Sequence, residues 1–385
     1  MIPRPQLFAQ VSHSLQHNPV TLILGPRQCG KTTLARQIHA AQGGTYFDLE
    51  DSETPLHPPA AKLILRDLQG LVVIDEFQRQ PALLELLRVL ADRRPLPARF
   101  LVLGSASPLL VKGVSESLAG RVGYVQMSGF SLEEVNADQH DALWIRGGFP
   151  PSFLAEDEQF SHTWRANFIQ SFLERDLPQL GIRIPAHALR RFWTMLAHFH
   201  GQVWNAADLA RSLGAKEDTA RRYLDLLCGA FMVRQLPPWF ENLGKRLVKA
   251  PKVYLRDTGL LHTLLGLRDR LQVQSHPRLG LSWEGFALEQ IIRMAQAEND
   301  AFFYRTYAGA ELDLLLVRNG KRYGFELKYE DAPRTTKSMH VVFADLTLEK
   351  LWVVHPGEHR YPLREGIEAL PLSRVPEVLR EHRLV

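Results

Sequence analysis

Val20-Thr-Leu-Ile-Leu-Gly-Pro-Arg-Gln-Cys-Gly-Lys-Thr-Thr33 is an apolar run that breaks into G-x-x-x-x-G-K-T and continues as a helical pattern from Lys31 to Ala40. That order of strand, glycine loop and helix is what gives the motif physical meaning. Gly25 and Gly30 let the backbone wrap a polyphosphate with its N–H groups turned inward, and the helix N-terminus adds partial positive charge. The loop Gly25, Pro26, Arg27, Gln28, Cys29, Gly30, Lys31, Thr32 and Thr33 is therefore the expected nucleotide site. Lys31 would reach the β- and γ-phosphates, and the Thr32 hydroxyl would sit on Mg²⁺. The competing reading is a glycine-bearing turn that imitates the motif.

A second run, Leu71-Val-Val-Ile74, leads into Asp75-Glu76. Four apolar residues followed by an acidic pair suit a buried parallel strand that delivers carboxylates to its C-terminal edge. Asp75 would hold the Mg²⁺ shell, and Glu76 would orient and polarise the attacking water. This division of work fits phosphoryl transfer, where catalysis is mostly positioning and charge neutralisation. ATP and Mg²⁺ are accordingly the expected cofactors.

Strands are predicted at 20–24, 45–49, 71–74, 99–103 and 121–126, with helices between them, including 82–91. The alternation predicts an α/β fold: a parallel sheet with helices on both faces and the ligand at the strands' carboxyl edge. The fourth strand runs into Gly104-Ser-Ala-Ser107, where Ser105 is a candidate sensor of the γ-phosphate or the lytic water. Ser107, ahead of Pro108, reads instead as a helix N-cap. Arg121, in Leu118-Ala-Gly-Arg-Val122, is either a solvated side chain or an arginine projected into a neighbour's site within a ring.

The chain has 385 residues and a formal net charge of +4. It is too long for one ordinary core, so two or three domains are expected. No apolar run is long enough to span a bilayer, and Met-Ile-Pro-Arg-Pro-Gln lacks a signal-peptide pattern. The only cysteines, Cys29 and Cys228, exclude a disulfide framework and fit a reducing cytoplasm. Cys29 is read as a permissive loop position whose oxidation would block the nucleotide. The modest charge allows nucleic acid as a partner but requires the binding surface to be local.

Gly147-Gly-Phe-Pro-Pro151 is a turn cluster that closes the first segment, giving expected domains at 1–147, 148–265 and 266–385. Within the second, Trp164, Phe168, Phe172 and Leu173 recur at helical spacing, as a core would. Asn205 to Gly214 reads as a short helix ending at a glycine, and 215–227 as a second, amphipathic one. Two strand-like runs follow, 231–236 and 252–256. This predicts a helix–turn–helix with a wing. Lys216, Arg221 and Arg222 are DNA-contact candidates on the helix, and Lys245, Arg246 and Lys249 on the wing. The alternative is the same fold used only for packing. His198 and His200 are read as structural or surface histidines on a helix.

In the last third, 283–292 is helical, and 301–307, 311–317 and 322–327 alternate as strands. Glu284 on the helix, Asp313 on the middle strand and Glu326 with Lys328 on the next could converge on one Mg²⁺ or Mn²⁺. Lys328 would then polarise a metal-activated water. Salt-bridge pairs on solvated strands imitate E-x-K, so a catalytic centre and a mere binding module both stay open.

Taken together, the chain resembles a family of prokaryotic AAA-type ATPases with an uncharacterised, restriction-endonuclease-like C-terminal domain. The resemblance is carried by 25–32, 72–76, 104–107, 118–121, 147–150, 254–261, 283–284 and 326–328. It implies ATP hydrolysis, homo-oligomeric rings (a hexamer among the sizes open) and a role in DNA transactions. The expected function is a Mg²⁺-dependent ATPase that remodels or translocates on DNA, branched intermediates included, with no membrane partner. A nucleotide-dependent switch for protein partners and an ATP-regulated nuclease are the alternatives.

Overall fold

The computed structural model describes residues 2–57, 60–105, 113–114, 116–179, 182, 184–240 and 247–385, Ser105 through its backbone alone. The chain forms two compact units. The first is Met1–Gly129 with Arg175–Arg183 and Asp225–Met232; the second is Phe130–Glu174, Ile184–Leu224 and Val233–Val385.

The first unit is built on strands β1 (Val20–Gly25), β2 (Thr45–Asp48), β3 (Gly70–Asp75), β4 (Ala98–Ser105) and β5 (Val122–Gln126). They lie in the order β2-β3-β4-β1-β5, every pair parallel. Near-continuous apolar runs are what a sheet covered on both sides needs, and all of β1 is buried. On one face Leu22, Val72, Ile74, Phe100 and Val102 join a core with Leu65 of helix α3 (Ala60–Asp67) and Leu83, Leu87 and Leu90 of α4 (Leu83–Ala91). Helices α1 (Pro5–His17) and α2 (Lys31–Gln42) pack against strands of the same sheet. The expected strands are all present. The fourth runs further than its apolar stretch suggested, keeping Gly104 and Ser105 paired with Leu24 and Gly25 of β1.

In the second unit, helix Ala186–His198 precedes helix Ala206–Leu213, whose N-cap Asn205 accepts bonds from the N–H groups of Ala207 and Asp208. Gly214 ends that helix at φ 71°, a left-handed conformation glycine adopts without strain. Helix Glu217–Gly229 follows, its residues from Asp225 onward belonging to the first unit. Strands β6 (Gln202–Val203), β7 (Val233–Leu236) and β8 (Lys252–Leu255) form an antiparallel sheet in the order β6-β8-β7. His198 closes its helix and His200 lies beyond it, so the two do not share one helix.

Helix Leu279–Met294 leads into a mixed six-stranded sheet of β9 (Ala301–Arg305), β10 (Glu311–Arg318), β11 (Lys321–Leu327), β12 (Lys350–His355), β13 (Tyr361–Arg364) and β14 (Ile367–Pro371). Its order is β13-β14-β12-β11-β10-β9. β9 to β11 are antiparallel neighbours, while β12 runs parallel to both β11 and β14.

Two motifs with no evident chemistry explain each other. Gly147 adopts φ 78°, and a Cβ there would stand 2.2 Å from Asp257 Oδ1. Asp257 accepts from Gly148 N–H at 2.8 Å and caps helix Thr258–Leu264 through Leu260 N–H at 2.9 Å. Thr258 Oγ1 donates to the carbonyl of Trp144 at 2.6 Å. The Gly147 turn and the Arg256-Asp257-Thr258-Gly259 stretch are thus one interlocked joint. Among the described residues no helix is long and apolar enough to cross a membrane.

Candidate functional site

The phosphate loop joins β1 to α2, and its shape follows from its sequence. Gln28 and Gly30 adopt φ 62° and 100°, positive angles that turn successive peptides within the loop. Gly25 has no room for a side chain: a Cβ would lie 2.0 Å from the carbonyl oxygen of Met127. Arg4 is buried and clamps the loop to the irregular stretch that follows β5. Its guanidinium donates to the carbonyls of Cys29 and Ser128 at 3.1 Å each and of Gly129 at 2.9 Å. Lys31 is buried, and its ammonium donates to the carbonyls of Gly25 at 3.0 Å and Pro26 at 2.8 Å. The cation is held inside the loop by neutral acceptors, which a phosphate would outbid. Thr32 and Thr33 open α2. Arg27 is paired with Asp176 at 2.5 Å and with the side-chain carbonyl of Gln179 at 3.2 Å. Cys29 is buried as a free thiol.

Asp75 ends β3, two strands from the loop, and is buried. One carboxylate oxygen accepts from Tyr46 Oη at 2.6 Å and the other from Glu76 N–H at 2.9 Å. Burial first, and then the bond to Asp75, push the Tyr46 phenol well above its usual range, so it stays a donor. Glu76 sits at φ 53°, ψ 41°, a left-handed conformation that is strained for a residue with a Cβ. Its carboxylate accepts a bond from the Gln78 amide. The backbone places Ser105 level with Gly25. Arg121 makes a two-pronged contact with Asp92, at 2.6 and 2.9 Å. The donor set fits a Mg²⁺-nucleotide: hard oxygen ligands in Asp75 and Thr32 beside an anion-binding loop.

In the second unit Lys216, Arg221, Arg222 and Lys249 are exposed, while Lys245 and Arg246 lie outside the described residues. Arg221 faces Glu217 at 3.5 Å. The tail carboxylates do gather, but around a cation not singled out from the sequence. Lys252 Nζ, on β8, stands 2.7 Å from Glu311, 3.5 Å from Asp313 and 3.6 Å from Glu284. Tyr254 Oη donates to Glu284 at 2.6 Å, Leu327 N–H donates to Asp313 at 2.9 Å, and Lys328 pairs with Glu326 at 2.8 Å. Burial and the charge of Asp313 push Glu284 up to about 7 and Glu326 up to about 8. Among the described residues no three Asp, Glu, His or Cys side chains are grouped to hold a metal ion.

Arg4, Tyr46, Gln78, Asp176 and Lys252 were not marked by the sequence. Each belongs to no motif, and all but Gln78, which bonds Glu76 two positions away, meet their partners only through the fold.

Residues 17–136 match a family model described as an AAA domain. Residues 137–271 and 279–375 match two models, each described as a domain of unknown function. The chain is 50% identical over 375 residues to the uncharacterized proteins Rv2008c of Mycobacterium tuberculosis and Mb2031c of Mycobacterium bovis, covering 97% of this chain and 85% of each of them. Among solved structures it is similar to the Walker-type ATPase PABY2304 of Pyrococcus abyssi, with a TM-score of 0.50, 17% identity, and coverage of 69% of this chain and 96% of that one. That likeness is one of fold.

Proposed function

This chain belongs to one family with the uncharacterised mycobacterial proteins Rv2008c and Mb2031c, it is an AAA-type P-loop ATPase, and on that premise we propose that it hydrolyses Mg²⁺-ATP to do work on DNA. The observation that carries the ATPase half is the edge of the parallel sheet. There the Gly25–Thr33 loop, with Lys31 folded inside it, shares a strand edge with Asp75 and Glu76. Thr32 and Asp75 would hold Mg²⁺, which neutralises phosphate charge when bound. The chain's own groups do the rest. Loop N–H groups and Lys31 bind and orient the polyphosphate, Tyr46 fixes the Asp75 carboxylate, and Glu76 takes up the proton of the attacking water. Ser105 would sense the γ-phosphate. Arg121 would act on a neighbouring subunit's nucleotide, which requires its release from Asp92.

The DNA half rests on the pair of helices Ala206–Leu213 and Glu217–Gly229 joined at Gly214, with the β6-β8-β7 sheet. We read this as a winged helix whose Lys216, Arg221, Arg222 and wing lysines meet phosphates. One feature favours a second reading, a nucleotide-dependent switch for protein partners. Arg211 and Arg221 face Asp208 and Glu217, so the helix surface is of mixed sign.

Turnover measured with and without a four-way DNA junction separates the two. Stimulation that falls steeply with salt and is lost in K216A/R222A supports DNA; turnover indifferent to single-stranded, duplex and branched DNA, with no binding, removes it. K31A is expected to lose at least tenfold in nucleotide affinity. E76Q should bind ATP yet turn it over about 100-fold more slowly. Unchanged hydrolysis in both variants would mean the site lies elsewhere.

A further inference from the structure

Three cations reach from the β6-β8-β7 sheet into the tail. Arg234 on β7 pairs with Glu289 and, at 2.8 Å, with Glu298. Arg256, just past β8, meets the same two carboxylates at 3.3 and 3.0 Å. Lys252, between them in sequence, is the third, and it lands among the acids that would form a nuclease centre. We propose that the Lys252 ammonium is the built-in occupant of the tail's carboxylate centre, so that Glu284, Asp313 and Glu311 form an ion-pair joint between β8 and the tail, not a divalent-cation site. This inference goes beyond the ATPase reading and does not depend on it.

The geometry is that of an ammonium and not of a metal cage. Oxygen ligands of Mg²⁺ or Ca²⁺ lie about 2.0–2.6 Å from the ion. Here the three acids stand 2.7–3.6 Å from a nitrogen, the range of charge-assisted hydrogen bonds and close ion pairs. A divalent ion sharing the cage would face a buried positive charge, and in a low-dielectric site that repulsion is large.

Lys252 has little freedom to leave. It is 3% exposed, on the central strand of its sheet, and its ammonium lies 5.7 Å from the centre of the Phe303 ring. Removing it would also leave the buried Asp313 and the partly buried Glu284 without this counter-charge.

The remaining acid does not rescue a metal site. Glu326 Oε1 is taken by Lys328, and Asp313 Oδ2 by the Leu327 N–H. Glu326 Oε2 is among the buried side-chain atoms of the described residues that have no partner. The residues present do not fit a resident metal. They fit a nuclease-like frame whose centre has become an internal salt link, joining the same two parts that Arg234 and Arg256 join.

The test uses the full-length chain without nucleotide, titrated with Mn²⁺ and read by the electron paramagnetic resonance of the free ion. The parent chain should show no Mn²⁺ site that D313N removes, and no Mn²⁺-dependent nicking of supercoiled plasmid that D313N abolishes. K252M should gain one site, binding at least tenfold more tightly than anything in the parent, and K252M/D313N should lose it. The proposal is overturned if the parent binds or nicks in a D313N-sensitive way, because the ammonium would then be yielding to metal. It is equally overturned if K252M, folded by its melting transition, gains no site. Should K252M fail to fold, the comparison of parent with D313N decides alone.

Discussion

A buried carboxylate does different work according to which donor faces it, and two aspartates of this chain illustrate the point. Asp75 is met by a neutral phenol and a backbone N–H, which leaves its charge uncompensated and available to a cation. Asp313 is met by an ammonium and a backbone N–H, so its charge is already answered. The first arrangement is poised for a ligand and the second is complete. Tyr46 therefore positions the Asp75 carboxylate. In Tyr46→Phe, one charge-assisted hydrogen bond is lost, worth about 1.5–3 kcal/mol. Only part of that is felt in the transition state, and about a tenfold drop in kcat is the expected outcome. Steady-state hydrolysis at saturating ATP, together with nucleotide affinity in EDTA, checks it: kcat should fall while metal-free affinity holds. An unchanged kcat would show that the hydroxyl does no more than fill space.

At the scale of elements, what the sequence revealed was what is local. The Gly25–Thr33 loop, the run into Asp75-Glu76 and the helix stop at Gly214 each carry their whole physical reason within a few residues. The partners were illegible because they arrive from far along the chain: Arg27 meets Asp176 across 149 positions and Arg4 meets Gly129 across 125. The Gly147 turn read as a segment boundary and 254–261 stood out only through the resemblance, and the bond between them was not visible, since each half makes sense only beside the other. Asp257 carries one helix start and one glycine N–H, and burial pushes its carboxyl up despite both bonds. Asp257→Ala removes a cap and strands Gly148 N–H, a loss of about 2–4 kcal/mol. The second unit's melting temperature should fall by roughly 5–10 °C. Gly147→Ala should do comparable harm, since it forces φ 78° on a residue whose Cβ would meet Asp257. Scanning calorimetry of both variants is the measurement, and a shift of less than about 2 °C in each would deny the joint its structural role.

At the scale of the molecule, the first unit groups Arg175–Arg183 and Asp225–Met232 with Met1–Gly129. No local signal marks a segment that returns, so discontinuity is the feature hardest to read from one sequence. The second unit also carries opposed titrations. His200 and His262 are held down to about 3 and about 4, chiefly by burial, whereas Glu284 and Glu326 are raised to about 7 and about 8. A histidine with a lowered folded pKa costs stability as pH falls below its unfolded value near 6.5, because the unfolded chain gains the proton first. A carboxyl with a raised folded pKa does the reverse, since the folded chain gains the proton first as pH falls towards the unfolded value near 4.5. The two sets act in opposite directions between pH 7.5 and 5, so the parent's melting curve alone is uninformative, and a difference between variants is needed. His262 bonds the carbonyl of Ile145 at 3.0 Å and Ser282 Oγ at 2.7 Å, contacts that a glutamine can partly keep. His262→Gln removes the proton-linked penalty and leaves every other titration in place. Its destabilisation relative to the parent should therefore shrink by about 2 kcal/mol between pH 7.5 and pH 5, the linkage expected for a pKa near 4 against 6.5 unfolded. Urea melts of both proteins at the two pH values decide it. A gap that stays constant would mean His262 takes up its proton in the folded chain as readily as in the unfolded one, and that burial does not hold it neutral.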